Sequence, residues 1–261
     1  MKRAVVTGAS SGIGAATVRR LREHGWNVVG VARRADRLAE LAAETGAEVF
    51  AADLTKAADI EALRAHLEAT GGVSTLVNNA GGAAGLDTVE AGTDDDWRWM
   101  FEINVVAVKN VTAALLPLLR ESVQPGGSAD ILTVSSTAAF SPYEGGGGYN
   151  AAKFAVHAMM DVLRLELSGE PIRVLEIAPG MVKTEEFSLN RFGGDAERAD
   201  SVYADVPDPL SAADVATTAV AMLELPPHVS LDLVVIKPVA QSAVHKIARG
   251  PLVVKKPRVT E

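Results

Sequence analysis

The chain has 261 residues, of which 48% are hydrophobic and only 5% aromatic, and its formal net charge is −8. The acidic balance argues against nucleic acid or an anionic membrane as a partner, and the absence of cysteine excludes disulfides, thiolate nucleophiles and Cys-ligated zinc. No signal peptide precedes the first predicted strand, and no unbroken apolar stretch approaches the roughly 18 residues of a membrane span, so we expect a cytoplasmic protein. We expect no metal site, because the histidines lack ligand spacing and the acidic run Asp94 to Asp96 reads as a helix start.

Seven short apolar runs bounded by turn residues predict strands that are buried on both faces. They cover residues 4–7, 28–32, 49–52, 75–77, 131–134, 173–177 and 233–236. Between them, residues 14–24 and 36–45 read as helices that each end at a glycine, and Thr93 and Ser211 open capping-box patterns before two further helices. This alternation predicts a single α/β domain of the Rossmann type, with a doubly wound parallel sheet of about seven strands and helices on both faces. Ligands bind such sheets beyond the carboxyl ends of the strands.

Two segments depart from the alternation. Residues 183–210 are charged and weakly periodic, which suits a mobile lid. Residues 246–261 carry Lys255, Lys256 and Arg258 among prolines and valines. We expect them to form a partly ordered C-terminal arm that touches a neighbouring subunit, with a basic recognition tag as the alternative. The catalytic domain is then expected to cover residues 1–245.

A glycine-rich turn follows the first strand and opens the first helix. Gly8 allows a tight turn, Gly12 lets a pyrophosphate approach the backbone, and Gly14 lets the helix pack close to the sheet. The pyrophosphate would lie on free N–H groups at the positive end of the helix. The spacing Gly-x-x-x-Gly-x-Gly therefore predicts a dinucleotide site; the alternative is that the glycines only shape a turn.

Arg33 and Arg34 follow the second strand, where enzymes that prefer NAD usually carry an acidic residue for the ribose 2′-hydroxyl. Arginine accommodates a 2′-phosphate instead, so the pair predicts NADP, unless it is only a solvated surface pair. Asp36, the one nearby carboxylate, is expected to cap the next helix. Ser10 could add a hydroxyl contact to the cofactor.

The most informative residues are Tyr149 and Lys153, four positions apart on one predicted helix face, with Ser136 thirteen positions before the tyrosine. A free tyrosine has a pKa of about 10 and is a poor base at neutral pH, but a nearby ammonium favours the phenolate. We expect Lys153 to lower the pKa of Tyr149, which then accepts the alcohol proton as hydride leaves for a nicotinamide and returns it in reduction. Ser136 would hydrogen-bond the substrate oxygen.

Over nearly its full length the chain resembles the single-domain short-chain dehydrogenase/reductases, and within them it looks most like the NADP-dependent 3-hydroxy acid, or serine-type, dehydrogenases. The closer likeness rests on segments 32–34, 186–192 and 238–242. The chain departs from the family pattern at Ala107, where glycine is common, in the four glycines before Tyr149, and in an extra acidic residue between Thr184 and Phe187. The family motifs present are Thr7-Gly8-x-x-x-Gly12-Ile13-Gly14, Asn78-Asn79-Ala80-Gly81, Asn104, Ser136, Tyr149-x-x-x-Lys153 and Pro179-Gly180-Met181-Val182-Lys183-Thr184.

The resemblance implies roles for further residues. Lys153 is expected to hold the nicotinamide ribose, and Asn104 to link Lys153 to solvent through water, unless Asn104 is an ordinary amide on a helix face. With Ser136 and Tyr149, these two form the expected catalytic set. The expected NADP-binding residues are Gly8, Ser10, Ser11, Gly12, Ile13, Gly14, Arg33, Arg34, Asp53, Leu54, Asn79, Ala80, Gly81, Tyr149, Lys153, Pro179, Gly180, Val182 and Thr184.

The leading functional hypothesis is an NADP-dependent dehydrogenase of a small 3-hydroxy acid such as a serine-like compound. The alternative enzyme is a broad carbonyl or aldehyde reductase, and a more remote alternative is a non-catalytic NADP-sensing protein, although such proteins generally lack the tyrosine or the lysine. Arg191 separates the two enzymes, because the carboxylate of a hydroxy acid needs a cation; its alternative role is a structural ion pair or a subunit contact. The expected substrate site is therefore Ser136, Tyr149 and Arg191.

Two apolar, alanine-rich helices, residues 94–119 and 149–167, carry more apolar surface than one side of the sheet needs. By the family resemblance they pair with their copies across two-fold axes, which predicts a homotetramer built as a dimer of dimers.

Overall fold

The computed structural model describes residues 2–254 and contains one seven-stranded parallel sheet, in the order β3-β2-β1-β4-β5-β6-β9, which confirms the predicted Rossmann-type fold. The strands are β1 (Arg3–Thr7), β2 (Asn27–Ala32), β3 (Glu48–Ala51), β4 (Thr75–Asn78), β5 (Ala129–Val134), β6 (Ile172–Pro179), β7 (Val182–Lys183), β8 (Leu210–Ser211), β9 (Leu233–Ile236), β10 (Gln241–Ala243) and β11 (Lys246–Ile247). The α-helices are α1 (Gly12–Glu23), α2 (Ala35–Thr45), α3 (Ala57–Ala69), α4 (Asp94–Phe101), α5 (Ala107–Ser122), α6 (Gly147–Glu166), α7 (Phe187–Arg191), α8 (Ala196–Ser201) and α9 (Ala212–Leu223).

The central strands are buried on both faces because helices cover both sides of the sheet. Val5 of β1 points into the cluster under α3, α5 and α6, whereas Val6 points into the cluster under α1, α2 and α9. The edge strands differ: β3 and β9 contain exposed and half-buried residues, and Val235 of β9 is 48% exposed. The expectation that every strand is fully buried is therefore wrong for these two, since each lacks a neighbouring strand on one side.

Helix ends follow the predicted local rules with two corrections. Gly46 ends α2 with φ of 67°, a left-handed conformation that favours glycine. Ser211 and Asp214 form the reciprocal capping box expected before α9. Asp36 does not cap α2, because Arg34 occupies the N-cap position and Asp36 lies in the first turn. Thr93 caps α4 by accepting the N–H of Asp96, but the Asp96 carboxylate binds the threonine hydroxyl, so the box is incomplete.

Helices α4 and α5 are joined by a π-helical turn, Glu102–Val106, into one helix from Asp94 to Ser122. By length and mean hydropathy of 1.4 this helix could span a membrane. Its buried side chains, among them Val111 and Leu115, instead belong to the cluster shared with the sheet, α3 and α6. The helix is therefore a core helix of this domain.

Residues 183–210, the predicted lid, contain α7 and α8. The two ends of this segment are joined by parallel pairing of β7 with β8. The following chain packs back onto this segment. Beyond β11, the N–H of Ala248 donates to Ala240 O at 2.7 Å, and the N–H of Gly250 donates to Asp205 O at 2.7 Å.

Residues 246–250 therefore pack against the domain, and the arm as a whole stays a prediction. The basic residues of the predicted tail, Lys255, Lys256 and Arg258, lie outside the described residues.

Candidate active site

A cavity of about 1550 Å³ lies at the carboxyl ends of the parallel strands, as expected for this sheet. It brings together predicted residues from the first turn to the lid. Two predicted residues do not line it: Gly14, which lies beneath the turn, and Asn104, which lies behind its wall. The predicted residues that do line it are Gly8, Ser10, Ser11, Gly12, Ile13, Arg33, Arg34, Asp53, Leu54, Asn79, Ala80, Gly81, Ser136, Tyr149, Lys153, Pro179, Gly180, Val182, Thr184 and Arg191.

The glycine-rich turn after β1 has the shape that a pyrophosphate requires. Gly8 and Gly12 have φ of 66° and 53°, in the left-handed region. A Cβ on Gly14 would lie 2.2 Å from Gly8 O, so only glycine lets α1 start so close to the strand. The Asn79 side chain donates to Thr7 O at 2.9 Å and joins the ends of β1 and β4. Ser11 occupies the N-cap position of α1 without a side-chain hydrogen bond, so no cap side chain satisfies the N–H groups of the first turn, as an anion-binding helix start requires.

Arg34 is held by residues of two distant segments. Its Nη1 and Nη2 donate to the two carboxylate oxygens of Glu186 at 2.7 and 2.8 Å. Nη2 also donates to Ser10 Oγ at 2.8 Å and to Ser11 Oγ at 3.1 Å. The guanidinium holds the pKa of the Glu186 carboxyl below its usual range. Arg33 lines the same cavity, so the predicted basic pair lies at the site, but its second member is bound by a carboxylate of the predicted lid.

Asp53 and Leu54 follow β3 at the far end of the cavity. Asp53 accepts hydrogen bonds from the Thr55 hydroxyl at 2.8 Å and the Thr55 N–H at 3.1 Å, which lower the pKa of its carboxyl. Leu54 is 5% exposed and joins the core cluster. Together they provide an apolar surface and an ordered carboxylate that suit the planar adenine ring of a dinucleotide.

Tyr149, Lys153 and Ser136 converge in the cavity. Tyr149 and Lys153 lie one turn apart near the start of α6, with Lys153 Nζ 5.7 Å from the centroid of the tyrosine ring. The lysine Nζ donates to Val134 O, at the end of β5, at 3.2 Å. Ser136 follows that strand, and its Oγ accepts the N–H of Ala138 at 3.1 Å. The spacing in the sequence therefore corresponds to a cluster in space.

Burial shifts the pKa values of Tyr149 and Lys153 in the directions that favour the neutral form of each side chain. It raises the pKa of Tyr149, and the Ser136 hydroxyl and the Arg191 guanidinium oppose the rise only in part. It lowers the pKa of Lys153 to about 8, against the opposing influence of the Glu176 carboxylate. The expectation that Lys153 lowers the pKa of Tyr149 is therefore wrong: both residues are 7% exposed, and the loss of hydration at Tyr149 outweighs the opposing effects of Ser136 and Arg191.

Asn104 lies in the π-helical turn and is 1% exposed. Its Nδ2 donates to Met100 O at 2.7 Å and to Gly82 O at 2.8 Å, and its Oδ1 accepts the N–H of Gly82 at 3.3 Å. A Cβ on Gly81 would lie 2.6 Å from Asn104 Oδ1 and 3.8 Å from Lys153 Nζ. Glycine at this position lets the amide and the lysine approach the same stretch of backbone, and the water link between them stays a prediction.

Arg191, at the end of α7, brings a positive charge to the cavity. Its Nε donates to Gly85 O at 2.9 Å, and its guanidinium carbon lies 5.6 Å from the ring centroid of Tyr149 and 5.7 Å from that of Tyr143. Its Nη2 is buried and has no hydrogen-bond partner among the described residues. A buried donor without an acceptor is unfavourable, so this atom is suited to receive an anionic oxygen.

Several cavity residues were not assigned to the site from the sequence. Glu186 binds Arg34, and the Phe187 ring packs edge-on against the Tyr149 ring, with the two ring centroids 5.9 Å apart. Gln241 Oε1 accepts the N–H of Met181 at 2.7 Å. Trp99 also lines the cavity. For Glu186, Phe187 and Gln241 the only signal was their presence in segments that resemble the serine-type enzymes, and Trp99 had no such signal, because no fixed spacing ties these residues to the catalytic residues.

Comparison with known proteins agrees with the geometry. Residues 2–191 match the short chain dehydrogenase family. The chain is 50% identical over 249 residues to an uncharacterised oxidoreductase of Mycobacterium tuberculosis, covering 95% of this chain and 96% of that protein. It is 38% identical over 241 residues to a serine 3-dehydrogenase of Agrobacterium fabrum, covering 91% and 94%. The solved closed form of serine dehydrogenase complexed with NADP⁺ has a TM-score of 0.88 at 34% identity, covering 97% of this chain and all of that one. The chain therefore belongs to the short-chain dehydrogenase family and is an oxidoreductase.

Proposed function

We propose that the protein is an NADP-dependent oxidoreductase that transfers hydride between the nicotinamide and the carbinol or carbonyl carbon of a small 3-hydroxy acid, with a serine-like compound as the leading candidate. The observation that carries this proposal is the unpartnered Nη2 of Arg191 beside the Tyr149 ring. A substrate carboxylate would supply its missing acceptor. The likeness to a serine 3-dehydrogenase and to a serine dehydrogenase complexed with NADP⁺ supports the same substrate class.

The residues present fit the cofactor. The backbone at Gly12 leaves room for a pyrophosphate, and Arg33 and Arg34, which line the same cavity, supply cations for a 2′-phosphate. Asp53 and its neighbour Leu54 suit the adenosine end. When bound, the nicotinamide supplies or accepts the hydride.

Side chains of the protein bind the substrate oxygen and exchange a proton with it. Tyr149 exchanges a proton with the substrate oxygen, Ser136 hydrogen-bonds that oxygen, and Lys153 binds the ribose and adds positive charge. Because burial raises the pKa of Tyr149, the phenol keeps its proton at neutral pH. That form suits proton donation to a carbonyl oxygen, whereas alcohol oxidation first requires loss of the proton.

The alternative is a broad carbonyl or aldehyde reductase, and one observation favours it. Arg191 also braces the neighbouring loop, because its Nε donates to Gly85 O and its carbonyl oxygen accepts the Gly85 N–H, both at 2.9 Å. An arginine with this structural role need not bind substrate. The aromatic rings of Trp99 and Phe187 would then provide an apolar surface for uncharged substrates.

Arg191→Ala distinguishes the two functions. If the guanidinium binds a carboxylate, the KM for 3-hydroxy acids should rise by about 10-fold to 150-fold, which corresponds to about 1.5–3 kcal/mol for a lost charged hydrogen bond, while uncharged alcohols and aldehydes are little affected. Arg198→Ala is the matched control, because Arg198 lies on α8 of the same segment, packs on the Phe192 ring and does not line the cavity. Equal loss for both substrate classes would assign Arg191 to the support of the loop and favour the broad reductase.

We also propose that the protein assembles as a homotetramer. Helices α4 and α6 leave large apolar side chains exposed, with Phe101 46%, Phe154 42%, Val162 51% and Leu165 76% exposed. Copies of the same helices would bury these side chains across two-fold axes. Sedimentation equilibrium at micromolar concentration should show four chains, and a monomer would contradict the proposal.

A further inference from the structure

The contact between Arg34 and Glu186 joins the start of α2 to the segment before α7, across 152 positions of sequence. It is bidentate, with one short hydrogen bond to each carboxylate oxygen. Ser10 and Ser11 direct their hydroxyl oxygens at the same guanidinium from the glycine-rich turn. The Glu186 carboxylate and the two serine hydroxyls of the dinucleotide turn thus share the Nη2 group of Arg34.

We propose that Glu186 limits the preference of this enzyme for NADP over NAD, by competing with the 2′-phosphate of NADP for Arg34, whereas NAD lacks that phosphate. The proposal rests on the proposed role of Arg34 in binding NADP. A guanidinium fork flanked by two hydroxyls suits a phosphate, and a carboxylate uses the same two N–H groups. Glu186 is therefore an internal anion in the position that the phosphate is expected to take.

Charge determines the direction of the effect. A phosphate at Arg34 would either displace the Glu186 carboxylate or lie beside it, and like charges at hydrogen-bonding distance repel. The ribose 2′-hydroxyl of NAD carries no charge and can donate a hydrogen bond to a carboxylate. NAD-preferring enzymes of this fold place an acidic residue after the second strand for that contact. Here the position after β2 holds arginines, and the carboxylate comes from the lid.

The size of the effect is limited by solvent. The side chains of Arg34 and Glu186 are 42% and 22% exposed, so their pairing is that of a partly screened surface contact. Removing the competing charge should tighten NADP⁺ binding by roughly twofold to fivefold. The effect should shrink at high salt.

The test is Glu186→Gln, which keeps the shape of the side chain and removes its charge. Isothermal titration calorimetry without substrate should show NADP⁺ binding tightened as above, with NAD⁺ bound no more tightly than by the wild type. Glu185→Gln is the matched control, because Glu185 is an exposed neighbour of the same charge that does not line the cavity. It should leave both dissociation constants unchanged. Unchanged or weaker NADP⁺ binding by Glu186→Gln, or equal tightening of both cofactors, would overturn the proposal.

Arg34→Ala separates this inference from the proposed function. If Arg34 binds the 2′-phosphate, Arg34→Ala should weaken NADP⁺ by roughly tenfold or more while NAD⁺ changes little. In that background, adding Glu186→Gln should have no effect on the preference for NADP⁺. If Arg34→Ala selectively weakens NADP⁺ binding but Glu186→Gln leaves NADP⁺ binding unchanged, only the role of Glu186 is overturned. Equal loss of both cofactors in Arg34→Ala would overturn the phosphate-binding role of Arg34 and the competition with it.

Discussion

Replacing Lys153 by methionine should stabilise the cofactor-free protein near neutral pH while removing a residue that we propose to be catalytic. The lysine is 7% exposed, and its one hydrogen bond among the described residues is to Val134 O. Burial lowers its pKa from 10.5 to about 8. An ammonium in this position is therefore less favourable in the folded protein than in the unfolded chain, and methionine fills a similar volume without a charge.

The sign and size follow from the two pKa values. At pH 7 the unfolded chain holds the lysine proton more tightly, so Lys153 lowers the free energy of unfolding by about 3 kcal/mol. The hydrogen bond to Val134 O offsets about 1 kcal/mol of this, so Lys153→Met should gain about 2 kcal/mol. Between pH 8 and 10.5 the folded protein has lost this proton while the unfolded chain keeps it, so the advantage of methionine falls and nearly disappears by pH 9.5.

Urea denaturation of wild type and Lys153→Met at several pH values from 7 to 9.5 measures this difference. The raised pKa of Tyr149 confines tyrosine ionisation to higher pH, so it does not interfere. Lys109→Met is the control, because Lys109 is exposed on α5 and its replacement should give no pH-dependent change. If Lys153→Met is no more stable than wild type at pH 7, or its advantage does not fall with pH, the account of a strained buried ammonium is wrong.

Three further changes test the site and its support. Tyr149→Phe should reduce kcat/KM by about 10²–10⁴ without weakening NADPH binding, as measured by steady-state kinetics and calorimetry; activity within tenfold of wild type would exclude Tyr149 as the proton carrier. Gly14→Ala should abolish dinucleotide binding in fluorescence titration, because its Cβ would lie 2.2 Å from Gly8 O; unchanged affinity would mean that the turn tolerates a Cβ. Arg173→Met should lower the free energy of unfolding by about 3–5 kcal/mol in urea, since it leaves the buried Asp130 carboxylate, now bound at 2.6 Å, without its cation; a loss below about 1 kcal/mol would show that the pair contributes little.

Much of the fold and of the proposed catalytic set was predictable because its signals are local. The apolar run of β1 and the glycines after it specify a strand followed by a helix within a few positions. Tyr149 and Lys153 share a helix face wherever the helix packs, because four residues make about one turn. Parallel strands bring their carboxyl ends to one edge, so Ser136 could be placed near them before any contact was known.

The remaining properties depend on which distant segments meet. Glu186 reaches Arg34 across 152 positions, and Arg191 reaches Gly85 across 106, so no periodicity could pair them. The pKa of Tyr149 was predicted in the wrong direction for the same reason. The sequence shows that a cation lies one helical turn away, but the loss of hydration depends on how the surrounding segments pack around the ring. The sequence by itself determined which residues are the candidates for the chemistry, whereas the tertiary structure decided the charge and solvation around them, because both depend on neighbours that the chain brings together only when it folds.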